Sequence, residues 1–381
     1  MGELVEVKGV CPSEFETVRT AFVENFEKYG DLGASVCVVR DGEILVHLWA
    51  GSRDKAQTLP WQQDTQVNIF SAGKPLVAVT VLQLAAAGKL DLDLPIAHYW
   101  PEFGQQGKDS ITTRQVLCHR SGINAFHPRL QDEDIYDWAR MIGYLEAETP
   151  WWQPDTEQGY SPMVYGWLLG ELVKRVTGAD SFNQVFQQTI AEPLGMRCEF
   201  GVASERLDAL ADVVPSAVKP TQTNNGSLVN LMHADPRGVI NQAFSNPPSL
   251  LFGTNSPAWR QAQIPAANGH GTADALALFY GDLANRQGSR LLPQGAESCW
   301  QEQTRAKDKL LAQDLGFSLG FMMLPEGGRR CGHPGAGGSF GFADADQGLG
   351  FGYVTRTLGQ SILVDYRAEQ LQNAVYQCLE K

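Results

Sequence analysis

The chain opens with helical spacing near residues 13–29, then changes period. Over residues 34–50, ASVCVVRDGEILVHLWA reads as two β-branched and aromatic runs hinged at Asp41-Gly42, which predicts an antiparallel hairpin. From Lys74 onward the apolar residues of VAVTVLQLAAAG, TTRQVLCHRSG, DIYDWARMIGYLEAE, YGWLLGELVKRVTG and SFNQVFQQTIAEPLG fall at helical spacing and end in Gly or Pro stops. Residues 200–265 are rich in Asn, Pro, Ser and Gly and predict loop, and TADALALFYGDLAN returns to helix. After Leu315, GFSLGFMML, GSFGFAD and GFGYVTRTL predict strands, and SILVDYRAEQLQNAVYQCLE a closing helix.

Strands near both ends with helices between them predict an α/β (α+β) fold: a mainly antiparallel sheet flanked by helices, plus a mostly helical subdomain. The expected organisation is a single domain over 1–381, its α/β part at about 1–75 and 265–381 and its helical part at about 76–264. No internal repeat or low-complexity linker interrupts it.

Composition narrows the partners. Thirty Lys and Arg against 43 Asp and Glu give a net charge of -13, with no basic run, so neither nucleic acid nor an anionic membrane surface is an expected partner. No apolar run reaches the ~18 residues of a membrane span, and the first residues lack a signal-peptide pattern, so a cytoplasmic location is expected, short of a trimmed leader. Cys11, Cys37, Cys118, Cys198, Cys299, Cys331 and Cys378 are odd in number, scattered and never in a CxxC pair, and read as reduced, mostly buried thiols. The seven histidines form no HxxxH, and Asp344-x-Asp346 lacks the rest of a calcium loop, so no metal is expected.

Candidate chemistry begins at IFSAGKPL, where Ser71 and Lys74 stand three positions apart at the mouth of an apolar helix and share a face. One reading is a serine nucleophile whose base is a lysine kept neutral by burial; the other is a helix-capping Ser with an exposed Lys. The pair alone does not choose between them.

Further segments follow in order: LCHRSGI (117–123), GYSPMVYGWLLGELVKRVTG (159–178), EPLGM (192–196), NGHGTADALALFY (268–280) and HPGAGGSFGF (333–342). Together with FSAGK they resemble the serine β-lactamase and penicillin-binding-protein superfamily, in its class C-like branch that includes the family VIII carboxylesterases. The resemblance covers roughly residues 30–370. It implies Ser71 as the acylated nucleophile, Lys74 as the group that helps deprotonate it, and Tyr160 as the second proton-handling group, acting as phenolate or as phenol. Tyr165 is the competing tyrosine and falls within a helical pattern. The resemblance also implies an oxyanion hole from the backbone N–H groups of Ser71 and Ala336, with His333 and Gly335 as substrate-binding residues and Gly335, Gly337 and Gly338 allowing close substrate approach. No cofactor is implied.

Two departures bear on substrate. Tyr160-Ser161-Pro162 replaces the family's Tyr-x-Asn, and His333-Pro334-Gly335 replaces Lys-Thr-Gly, so a group largely neutral at pH 7 stands where a lysine would favour carboxylate-bearing substrates. Both favour a small neutral ester, and a carboxylesterase is the expected activity. An acyltransferase, a weak β-lactamase or D-amino-acid peptidase, and a catalytically silent scaffold are the alternatives. Trp151 and Trp152 are candidates for a pocket wall or for core. The formal GxSxG around Ser339 has no helix after it and no histidine beyond His333, so it does not make an α/β-hydrolase elbow. His119 and His270 read as structural. Chain length leaves oligomeric state open.

Overall fold

In this computed structural model the described residues are 5–217, 232–325 and 327–380. Nine strands form one sheet: β1 (Lys8–Val10), β2 (Gly33–Arg40), β3 (Glu43–Gly51), β4 (Thr304–Lys307), β5 (Asp314–Phe317), β6 (Met322–Met323), β7 (Arg330–Pro334), β8 (Phe340–Asp344) and β9 (Leu349–Thr355). Their order is β1-β3-β2-β9-β8-β7-β6-β5-β4, and every neighbouring pair is antiparallel. The first hairpin turns at Asp41 and Gly42, both at positive φ (48° and 88°), as a two-residue hairpin loop requires. The join between the two ends of the sequence is β2 against β9, with Arg40 opposite Leu349 and Ala34 opposite Thr355.

The six main helices are α1 (Glu16–Glu27), α2 (Lys74–Ala86), α3 (Trp138–Ala147), α4 (Val164–Thr177), α5 (Ala273–Ala284) and α6 (Tyr366–Leu379). Alternation along β9 assigns its two faces. Phe351 and Tyr353 pack with Val36 and Val38 of β2 under α1 and α6, where Val18, Phe22, Leu371 and Val375 complete a second core. Gly350 and Gly352 face α5, where a Cβ on Gly350 would lie 2.1 Å from the Gly281 nitrogen and one on Gly352 2.2 Å from the Ala273 oxygen. Glycine on that face lets helix and sheet backbones meet, while α2 and α4 continue the larger core beyond α5.

Several expectations change at the boundaries. The closing helix begins at Tyr366, capped by Asp365, whose side chain accepts from the Arg367 N–H; Ile362 and Leu363 before it pack near Tyr160 instead. GFSLGFMML is two strands, β5 and β6, split by a turn at 318–321, and β4 precedes both in a stretch whose alternation the charged TRAKDK sequence hides. Residues 200–265 hold short helices at Val239–Ser245 and Pro257–Gln261 as well as loop; positions 218–231 of that predicted loop lie outside the described residues.

Candidate active site

Ser71 lies in a 3-10 turn, Phe70–Gly73, that leads directly into α2. The residue before it, Phe70, has φ 49°, a left-handed conformation costly for a bulky side chain and of the kind that collects at functional sites. Short strand pairing holds the turn: Val67–Asn68 pairs with Gly269–Gly271, and the Ile69 N–H donates to the Gly269 oxygen at 2.8 Å. Ser71 therefore does not cap α2. Gly73 occupies the cap position with no side-chain hydrogen bond, and the Ser71 hydroxyl stays free for another partner.

That partner is Lys74, whose Nζ stands 3.0 Å from Ser71 Oγ. The same nitrogen is 2.8 Å from the Pro162 oxygen and 3.0 Å from the Ala266 oxygen, with no carboxylate in the set. Lys74 is fully buried, and burial pushes its pKa well below the ordinary lysine range. Gly166 on α4 makes the third contact reachable, because a Cβ there would sit 2.2 Å from the Ala266 nitrogen.

Tyr160 closes the other side. Its ring centroid is 4.9 Å from Lys74 Nζ, and its phenol shares a hydrogen bond with Ser71. Burial raises the phenol pKa above its usual value, only partly offset by that bond, so the protonated phenol is the resting form rather than the phenolate. Tyr165 lies within α4, its hydroxyl buried without a hydrogen-bond partner among the described residues.

The turn between β7 and β8 completes the cleft. A Cβ on Gly335 would lie 2.3 Å from the Ile69 oxygen, so the close neighbour that requires glycine is the Ser71 turn itself. Gly337 and Gly338 have φ 85° and 137°, and side chains there would strike Leu358 and Arg367: they are glycines for the turn, not for substrate approach. The amides of Gly335, Gly337 and Gly338 bond to Ser339, Ser361 and Gly335 oxygens, which leaves the Ala336 N–H in this run without a partner among the described residues. Arg367 steadies the turn from behind, donating from Nη2 to the Gly337 oxygen at 2.8 Å while also pairing with Asp31 and Asp365. Ser339 is buried and leads into strand β8, with no helix following.

The beta-lactamase family model matches residues 18–374. The chain belongs to the beta-lactamase family. It is 30% identical over 371 residues to the esterase/beta-lactamase LipL of Mycobacterium tuberculosis, covering 94% of this chain and 85% of the relative. A family VIII carboxylesterase structure matches with a TM-score of 0.89 and 33% identity, covering 98% of this chain and 100% of that one. A penicillin-binding-protein homologue from Caulobacter crescentus matches at 0.87 and 32%, with the same coverage. With these relatives, the chain is a serine hydrolase of the beta-lactamase family.

Within the beta-lactamase family frame, the two departures take physical form. Pro162 has no side-chain amide to offer, but its carbonyl is one of the three groups holding Lys74. His333 is 1% exposed, and burial with the nearby Lys74 lowers its pKa to about 3, so the ring is neutral over the whole working range. Its Nδ1 is 2.8 Å from the Pro334 oxygen, which fixes the proton on Nδ1, and its ring lies 5.8 Å from that of Tyr160. His119 sits beneath Tyr160 at 5.0 Å and accepts from the Ser161 N–H, and His270 is buried against the Asn268 oxygen. Trp151 stacks on His127 and Trp152 packs against Gly159; both border the apolar cluster of Tyr160, Leu310, Leu311 and Phe317. Sequence reasoning missed Ala266 and Asp308. The first contributes only a backbone oxygen, and the second is one acid among the charged residues of 305–314, with no local signal to separate it.

Proposed function

We propose that the protein is a carboxylesterase acting on small neutral esters through an acyl-enzyme on Ser71. The observation that carries this reading is Lys74: a buried amine 3.0 Å from Ser71 Oγ, held by carbonyl oxygens, its pKa driven well down by burial. As Oγ attacks the ester carbonyl, Lys74 takes the Ser71 proton. The oxyanion is held by the Ser71 and Ala336 amides. Tyr160, the protonated phenol, gives its proton to the departing alkoxide and is reprotonated by the Lys74 ammonium. Water then repeats the sequence on the acyl-enzyme, and no metal or organic cofactor takes part in this cycle.

Neutral substrates fit the cleft because His333, in the position of the family's lysine, carries no charge, and the nearby wall of Trp152, Leu310 and Leu311 is apolar. The seven free thiols, six of them buried, support a cytoplasmic setting. Among the described residues, no helix is long and apolar enough to cross a membrane.

Intact-mass spectrometry after brief exposure to p-nitrophenyl butyrate tests the reading. An adduct of one butyryl group on the native chain, absent from Ser71→Ala, is the expected result. Nitrophenol release with no adduct, or equal release by Ser71→Ala, would sink it.

A further inference from the structure

Asp308 follows β4 and is 1% exposed. Its Oδ2 accepts the Tyr160 N–H at 2.8 Å, and its Oδ1 accepts the N–H groups of Leu310 and Leu311 at 2.9 and 3.0 Å. No arginine, lysine or histidine pairs with it among the described residues. An unpaired carboxylate in such a place costs desolvation energy that is recovered only by a full set of hydrogen bonds.

The use of both oxygens explains why an amide would not serve. An Asn side chain has one acceptor oxygen, so in either orientation its NH2 would point at a backbone N–H. The two sets of amides belong to different parts of the cleft. One is the main chain of Tyr160; the other belongs to Leu310 and Leu311, which line the same apolar cluster. A second strut, the Lys309 N–H to the Gln158 oxygen at 2.9 Å, runs beside it.

We propose that Asp308 is a positioning residue for Tyr160: its buried carboxylate joins the Tyr160 main chain to the 308–311 turn, so that the phenol is aimed at the leaving alcohol while that turn walls the pocket. The inference rests on the esterase reading above. In the step concerned, the C–O bond to the alcohol breaks with its electron pair on the alkoxide oxygen, that oxygen takes the Tyr160 proton, and the phenolate recovers one from the Lys74 ammonium. Among the described residues, the titratable groups that face Tyr160 are Lys74, His119, Tyr165 and His333 through space and Asp308 through the main chain. Burial holds both histidines neutral, so Lys74 is the group that reprotonates the phenol.

The test compares kcat/KM for ethyl butyrate, whose alkoxide must be protonated to leave, with that for p-nitrophenyl butyrate, whose phenolate leaves unaided. Asp308→Asn is expected to lower the ethyl ester value by roughly a hundredfold and the nitrophenyl value by less than about tenfold. In a Tyr160→Phe background the same change is expected to add no further leaving-group dependence. Asp308→Glu, with the charge kept and the reach altered, carries the same comparison if Asp308→Asn does not fold. An equal loss on both esters, or a loss that adds in full to that of Tyr160→Phe, would overturn the proposal. Either result, with the Ser71 adduct still formed by the native chain, leaves the esterase reading standing; absence of that adduct removes the reading itself.

Discussion

Lys74 is an amine buried among carbonyl oxygens, with no carboxylate among the described residues to keep it charged. Because burial lowers its folded pKa, the neutral base is present above that pKa and lost as pH falls through it. Esterase activity is therefore expected to rise with pH along a limb whose midpoint lies well below the 10.5 of a free lysine. Lys74→Arg keeps a cation at every accessible pH and is expected to lower kcat/KM by at least ~100-fold, with no recovery in alkali; a pH–rate series on both proteins checks this. The sequence shows that Ser71 and Lys74 are a helical turn apart. It does not show that residues 162 and 266, far along the chain, supply the oxygens around the amine, and that environment distinguishes a base from a surface lysine.

The elements meet through absent side chains. Helix α5 rests on β9 where Gly281 faces Gly350 and Ala273 faces Gly352, and the atoms nearest to a Cβ on Gly350 or Gly352 are backbone, which cannot rotate aside. Gly350→Ala is expected to cost about 1–3 kcal/mol through overpacking. Gly143, in the middle of α3 with open space around it and an ordinary helical φ, is the opposite case, and Gly143→Ala is expected to stabilise by about 0.5–1 kcal/mol. Urea unfolding of the two variants against the native chain checks both signs. At this scale the sequence was legible where the pattern is local: the Asp41-Gly42 hairpin, α4 and α5 fall where periodicity predicts them. It was not legible at β4, whose partner is β5 and whose residues are half charged, nor at Ser71, where helical spacing suggested a cap and strand pairing from residues 269–271 imposed a 3-10 turn.

Across the molecule, the buried histidines act together. His47, His119, His270 and His333 all have pKa values lowered by burial, the last two to about 3, against 6.5 when free. Unfolding thus takes up protons below pH 6.5, and stability present above that value is lost as pH falls from it toward the folded pKa values. Each histidine contributes a slope of about 1.4 kcal/mol per pH unit in that window. Urea midpoints between pH 7 and pH 5 are expected to fall accordingly, and His270→Asn, on the strand that supports the Ser71 turn, to make the fall shallower by one proton. The family and its sheet were legible across the whole chain because six short segments keep their order. That strands from both ends share one sheet was legible too, but the register that sets Arg40 opposite Leu349 was not, since β2 and β9 carry no mark of each other.

The clasp on the Ala336 turn has a consequence for the order of synthesis. Ser71 and Lys74 leave the ribosome well before Arg367, which holds Gly337 and bonds back to Asp31 across 336 residues. A nascent chain therefore carries the serine and its base long before Arg367 can fix the Ala336 turn, so the amide proposed to hold the oxyanion is set in place only after the groups it would serve have been made.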